Sequence, residues 1–455
     1  ADLGAGRIEV SPPHVTVSRL DTSPPASTGP GADAGRPDLV VIILDAARVD
    51  RFGFAGHNRD TSPNIDRLAA SSLVYHRVFA LAPYTLCSVP TMITGLSFLD
   101  HGVIDHSDVL SPDAVTLAEI LKQHGYRTAC FTATPNNSRA KGFDQGFDVF
   151  RELWTEFPGR KARRPHALAR AVRDWLDREP RTGPPLHLQV HMVPPHAPYD
   201  PTEKFDLFTD PDYDGPCDGY HRTLAALDGG SMPATEACVE HLLNLYDGNI
   251  RMADDATEQI LNALRRRPRW RDTVVLITSD HGEAFLEHGR TDHNSTVFTE
   301  MLHVPFVLHL PDGSDPGAVD TDGLATLADI VPTLLHAAGI APPSYPDAVD
   351  LLATGRPRHA RFAVTSTTGP TPTLGLRSIR WSLMLEASGA GSLYDLVADP
   401  GERNNLVFSE PVRFAGLGSL LTSRCERPPQ LNPAARGADI TDEERALLES
   451  LGYLQ

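Results

Sequence analysis

Two short apolar runs constrain this chain more than any other feature. "DLVVIILD" (38–45) and "DTVVLITSD" (272–280) are rich in β-branched residues, show no polar alternation, and each ends in an aspartate. Such a run reads as a strand buried on both faces of a parallel sheet, where neither face needs a polar side. Further strand-like runs, "YRTACFTAT" (126–134) and "LHLQVHMV" (186–193), are interleaved with helical ones. The helical stretches are "TSPNIDRLAASSLV", with Ser62 as N-cap and Pro63 at the first position, "VTLAEILKQHG" stopped by Gly125, "HALARAVRDWLDRE", and a long amphipathic segment from "EHLLNLYDG" to "NALRRR". This alternation predicts an α/β fold whose large, mostly parallel sheet is sandwiched by helices.

The pattern changes after about residue 340. "RFAVTSTT", "LGLRSIRWSLMLEA" and "GSLYDL" read as short alternating strands, and "TDEERALLESLGYL" as a terminal helix with a Thr441/Glu444 capping box. We therefore expect a Pro/Gly/Ser-rich extended tail over 1–37, a catalytic α/β domain over 38–340, and a small α+β domain over 341–455. The aperiodic stretch 205–240 reads as a loop insertion near the strand ends.

Charge and composition remove several function classes. Lys plus Arg number 41 against 59 for Asp plus Glu, a net charge of −18, which repels nucleic acid and anionic lipid. No window approaches the roughly 18 consecutive apolar residues of a membrane span. Five cysteines are too scattered for a disulfide scaffold, although Cys217 and Cys238 could pair. A chain starting at Ala1 leaves export with leader removal as an open expectation. Oligomeric state is not legible.

In an open α/β sheet, ligands bind beyond the carboxyl ends of the strands, so Asp45 and Asp280 should emerge on one edge. A single strand-end aspartate is as often a turn or cap. Two at equivalent positions, one followed by His281, point to a divalent cation: Zn or Mn for a mixed O/N set, Ca or Mg for carboxylates, as one or two ions. His191 and His196 in "VHMVPPHAPYD" lie past another strand on the same edge, and His288 and His293 follow Asp280 closely. In "APYTLCSVPTMITG" (82–95), a metal-activated Thr85 at the start of a helix competes with the thiol of Cys87 for the role of nucleophile.

"VVIILDAARVDRFGFAG", "TSPNIDRLA", "APYTLCSVPTMITGL", "VHMVPPHAPY", "TSDHGEAFLEHG", "HVPFVLHLP" and "SLYDLVADPGERNNL" stand in an order that resembles the sulfatase family of the alkaline phosphatase superfamily. Counted back from Thr94-Gly95, the family's nucleophile position falls on Thr85. Formylglycine-using sulfatases carry CxPxR there. Cys87 is followed by Ser, Val and Pro, so it lacks both the Pro and the Arg of that motif. The family's paired aspartates become Asp45 and Ala46, and its sulfate-binding "GKWHLG" block becomes "TATPNN", with Ala133 and Pro135 at the cationic positions.

The resemblance implies a threonine-nucleophile branch with Asp45, Thr85, Asp280 and His281 as metal ligands. It further implies a small-molecule phosphate or sulfate ester as substrate, the phosphate being favoured. Thr85 would attack phosphorus or sulfur in line and water would cleave the resulting ester. His196 and His293 are candidate acids for the leaving oxygen or ligands of a second ion, and Asn136, His191 and His288 are candidate substrate-binding or orienting groups. The alternatives are a phosphoethanolamine-type transferase, a formylglycine sulfatase using Cys87, and a lapsed metal-binding module.

Overall fold

The computed structural model describes residues 35–156, 164–354, 361, 363–367, 372–386 and 388–431. Most of the expected tail over 1–37 and the whole terminal helix with its Thr441/Glu444 box lie outside them.

The central strand is Asp38–Leu44. It pairs in parallel with Leu186–Met192 on one side and Thr273–Thr278 on the other. Arg127–Thr132 and Val149–Glu152 continue the sheet in parallel. Phe306–His309 runs antiparallel beyond Thr273–Thr278, and the two-residue strand Leu73–Val74 closes that edge. The seven strands therefore form a mixed sheet in which only Phe306–His309 opposes the rest.

Helices cover both faces, and the central strand shows why. Leu39, Val41 and Ile43 belong to one apolar core, with Leu86 and Val89 of helix Thr85–Thr94, Leu117 and Leu121 of Leu117–Gln123, and Leu334 of Ile330–Ala337. Val40, Ile42 and Leu44 belong to the other, with Leu168 and Leu176 of Pro165–Arg178 and Ile260 and Leu261 of the 30-residue helix Glu236–Arg265. Side chains at period two thus enter opposite cores, and each buried branched residue contributes about 1.5–3 kcal/mol.

Two local expectations change. Ser62 precedes helix Pro63–Ala69, yet its hydroxyl accepts no bond from that helix. Asp254 of the long helix does so instead, accepting from the backbone N–H groups of Asn64 and Ile65. The stretch 205–240 contains a helix, His221–Asp228, and is tied by a disulfide between Cys217 and Cys238.

Strands Ala363–Ser366, Leu374–Arg377, Trp381–Leu385 and Gly391–Asp395 form a separate antiparallel four-stranded sheet. Its Leu376, Leu383 and Leu393 share a core with Leu86 and Phe306. Helix Pro411–Cys425, not read from the sequence, follows this sheet. Among the described residues, no helix is long and apolar enough to cross a membrane.

Candidate active site

The central strand and its two neighbours end side by side, with Ile43 in register with both His191 and Thr278. Asp45 and Asp280 leave the sheet at that edge. Ser279 staples the two strand ends together: its hydroxyl donates to the Leu44 carbonyl and accepts from the Ala47 N–H at 2.8 Å. Gly282 is forced by close approach, since a Cβ there would lie 2.1 Å from the Glu300 carbonyl oxygen.

Asp45, Thr85, Asp280 and His281 are all completely buried and meet at one point. Thr85, the first residue of helix Thr85–Thr94, places its Oγ1 3.3 Å from Asp45 Oδ1 and 3.4 Å from His281 Nε2. His281 Nδ1 faces the Gly282 carbonyl at 2.8 Å, which turns Nε2 toward Asp45 Oδ1 (3.4 Å) and Asp280 Oδ2 (3.7 Å). Asp280 Oδ1 accepts from the N–H groups of Ala46 (3.2 Å) and His281 (3.0 Å). The other oxygens, Asp45 Oδ2 and Asp280 Oδ2, have no hydrogen-bond partner although buried. Burial pushes the Asp45 carboxyl up, and the Asp280 charge adds to this. Two buried carboxylates with orphaned oxygens beside an imidazole nitrogen could hold a divalent cation.

A second group lies alongside. Ligand atoms of His196, Asp292 and His293 fall within 4.8 Å of one another, and the His281 and His293 rings are 4.5 Å apart. His293 Nδ1 contacts Asp292 Oδ1 (2.5 Å) and Glu283 Oε1 (3.1 Å). Burial opposes its charge, but these two carboxylates hold its pKa well above the usual histidine value. Burial drives His196 the other way, assisted by the His293 charge. His221 Nδ1 reaches Asp292 Oδ2 at 3.3 Å.

The sequence reading missed Asp292, His221 and Glu283. Glu283 stands in the same "DHGE" run as His281, a usable signal; His221 lay inside the apparent insertion and carried none.

His191 is fully buried beside the two aspartates. Its Nε2 sits 3.7 Å from Asp45 Oδ2 and 3.6 Å from Asp280 Oδ2, and its Nδ1 faces Asn137 Nδ2 at 3.2 Å. Asn136 is fully buried and its side-chain amide has no hydrogen-bond partner. His288 is not brought into the cluster: it pairs with Glu300 (2.6 Å), stacks on Phe298, and lines a separate cavity of about 250 Å³ with Arg48 and Glu287. Cys87 points into the apolar core, where burial raises its thiol far above the ordinary range.

The profile of the family described as Sulfatase matches residues 37–340. The chain belongs to the sulfatase family. Among sulfatase relatives, it is 23% identical to an ulvan-active sulfatase of Formosa agariphila, covering 82% of this chain and 77% of that one. It is 24% identical to a choline-sulfatase of Rhizobium meliloti, covering 82% of each. Among solved structures, a 2-O GAG sulfatase superimposes with a TM-score of 0.70 at 19% identity, over 89% of this chain and 99% of that chain. The phosphonate monoester hydrolase of Agrobacterium radiobacter does so with 0.70 at 22%, over 85% and 95%. This sulfatase fold is therefore the alkaline-phosphatase-like α/β architecture, and the chain is a sulfatase-like hydrolase by family. The relatives' names speak mostly of sulfatases and lend no support to a preference for phosphate.

Proposed function

We propose that this chain hydrolyses a sulfate or phosphate ester through a covalent ester on Thr85. One observation carries the reading: the Thr85 hydroxyl lies at 3.3–3.4 Å from Asp45 and His281, beside two orphaned carboxylate oxygens. Asp45, Asp280, His281 and Thr85 would hold a divalent ion, which supplies charge neutralisation for the anionic ester.

In the first half-reaction, Thr85 Oγ1 bonds to sulfur or phosphorus and the bond to the leaving oxygen breaks. Asp45 Oδ1, 3.3 Å from the hydroxyl oxygen, takes its proton. His293, kept charged by Asp292 and Glu283, gives its proton to the leaving oxygen. In the second half-reaction, water attacks the Thr85 ester, its proton passes to the now neutral His293, and Thr85 recovers its own from Asp45. Thr85 opens helix Thr85–Thr94, whose N-cap Tyr84 makes no side-chain capping bond, and the positive end of that helix favours an anion beside Thr85. The names of the relatives support sulfate; threonine in place of the modified cysteine, with Ala133 and Pro135 at cationic positions, supports phosphate.

The test is rapid quenching after mixing with aryl sulfate, aryl phosphate, diaryl phosphate and aryl phosphonate, followed by peptide mass mapping. A sulfuryl or phosphoryl adduct on the Thr85 peptide is expected with at least one substrate. Turnover without any adduct on that peptide, persisting in Thr85→Ala, would overturn the reading.

A further inference from the structure

We infer that His191 is a nitrogen ligand of the cation site, rather than a substrate-binding residue. The inference rests on the metal reading above and extends it to a residue that reading leaves out.

His191 lies near the end of strand Leu186–Met192, in register with Ile43 on one side and Thr132 on the other. Its side chain is fully buried. Three buried polar atoms without hydrogen-bond partners face one another there: His191 Nε2, Asp45 Oδ2 and Asp280 Oδ2. Their separations of 3.6 and 3.7 Å are too long for good hydrogen bonds. They are near the spacing of about 3.4 Å expected between neighbouring donors that each lie about 2.1 Å from one cation. Thr85 with Asp45, Thr85 with His281, and His281 with either aspartate lie at 3.3–3.7 Å, Thr85 and His281 meeting Asp45 through Oδ1. His191 thus faces the same two aspartates as His281.

A ligating imidazole needs its other ring nitrogen protonated and facing an acceptor. His191 Nδ1 faces the Asn137 side-chain amide, whose Oδ1 has no partner. Turning that amide over presents Oδ1 to Nδ1–H and leaves the Nε2 lone pair for the ion. Ala46, directly after Asp45, offers no side-chain donor. Two carboxylates with two imidazoles make a borderline donor set that favours zinc, manganese or cobalt over calcium or magnesium.

The full chain loaded with manganese tests this without substitution, because pulsed EPR counts coordinated imidazoles. Two are expected in the wild type and one in His191→Gln; one in the wild type, or two in the variant, would overturn the assignment. In parallel, competition with a chromophoric chelator measures zinc affinity. His191→Gln should weaken zinc by about 100-fold or more while moving calcium less than threefold. Equal zinc affinity in His191→Gln and the wild type would overturn it. Asp45→Asn separates the two readings: if zinc binding survives that change, the cation site itself fails. If zinc is lost in Asp45→Asn but retained in His191→Gln, only the role of His191 falls.

Discussion

Two buried carboxylates in this molecule have opposite surroundings. Glu402 lies under the four-stranded sheet with every oxygen engaged: Oε1 accepts from Arg377 Nη2 at 2.9 Å, and Oε2 from the Thr299 N–H and hydroxyl at 2.8 and 2.7 Å. Burial alone would raise its pKa, but the Arg377 guanidinium and these donors hold it below the usual range. Asp45 is as deeply buried, faces a second carboxylate, and leaves one oxygen unbonded. The first arrangement is complete within the protein. The second is complete only with something added, and that difference separates a structural ion pair from a site.

The largest effect tests the site side. Thr85→Ala should lower kcat/KM by at least about 10³-fold, because a nucleophile has no substitute, while changing unfolding free energy by no more than about 1 kcal/mol. Activity within tenfold of the wild type would remove the reason for treating the two carboxylates differently. The structural side predicts the reverse. Glu402→Ala should cost about 3–5 kcal/mol in urea unfolding by stranding the Arg377 charge, and adding Arg377→Met should recover most of it. Because the folded pKa of Glu402 lies below its unfolded value, its contribution is present above the unfolded value and is lost as pH falls through the folded one. The stability gap between wild type and Glu402→Gln should accordingly close in acid.

The strand-end acids were legible because buried parallel strands carry an unbroken apolar signature, and a polar residue ending such a run is conspicuous. Thr85 was legible through its spacing from Thr94-Gly95. What sequence order hides is how the chain folds back. His288 is only five residues from His293, yet the short hairpin pairing Ala284–Phe285 with Thr291–Asp292 turns between them and delivers His288 to Glu300 instead. His191 and Asn137 meet only because strand Arg127–Thr132, whose following turn carries Asn137, is the neighbour of strand Leu186–Met192, a fact of register absent from local pattern. Helix His221–Asp228 escaped notice because eight residues with two core leucines give too short a period to read.

A smaller effect sharpens the comparison from the other direction. Without metal, Asp45→Asn removes one of two like charges facing each other in the core, so it should stabilise the metal-free protein by about 1 kcal/mol. The same change in a satisfied pair would destabilise. A urea midpoint that falls would show that the orphaned oxygen is stabilised by contacts of its own. Glu283→Gln tests the adjoining histidine. It removes one of the two anions that keep His293 charged, so the alkaline limb of the kcat profile should move to lower pH. An unmoved limb would mean that His293 is not the acid.

The smallest effect is expected at Cys87, two residues beyond Thr85 on the same helix. The two side chains share a helical turn but not an environment: Thr85 meets Asp45 and His281, whereas Cys87 joins the apolar core with Leu86 and Val89. Burial there raises the thiol pKa, so no thiolate is provided. Cys87→Ala should leave kcat/KM within about threefold and cost about 1 kcal/mol for the small void, measured by steady-state assay and urea unfolding. A collapse of turnover with the fold intact would transfer the nucleophile from Thr85 to Cys87. The orphaned carboxylate oxygens would then have to be explained without a threonine ester.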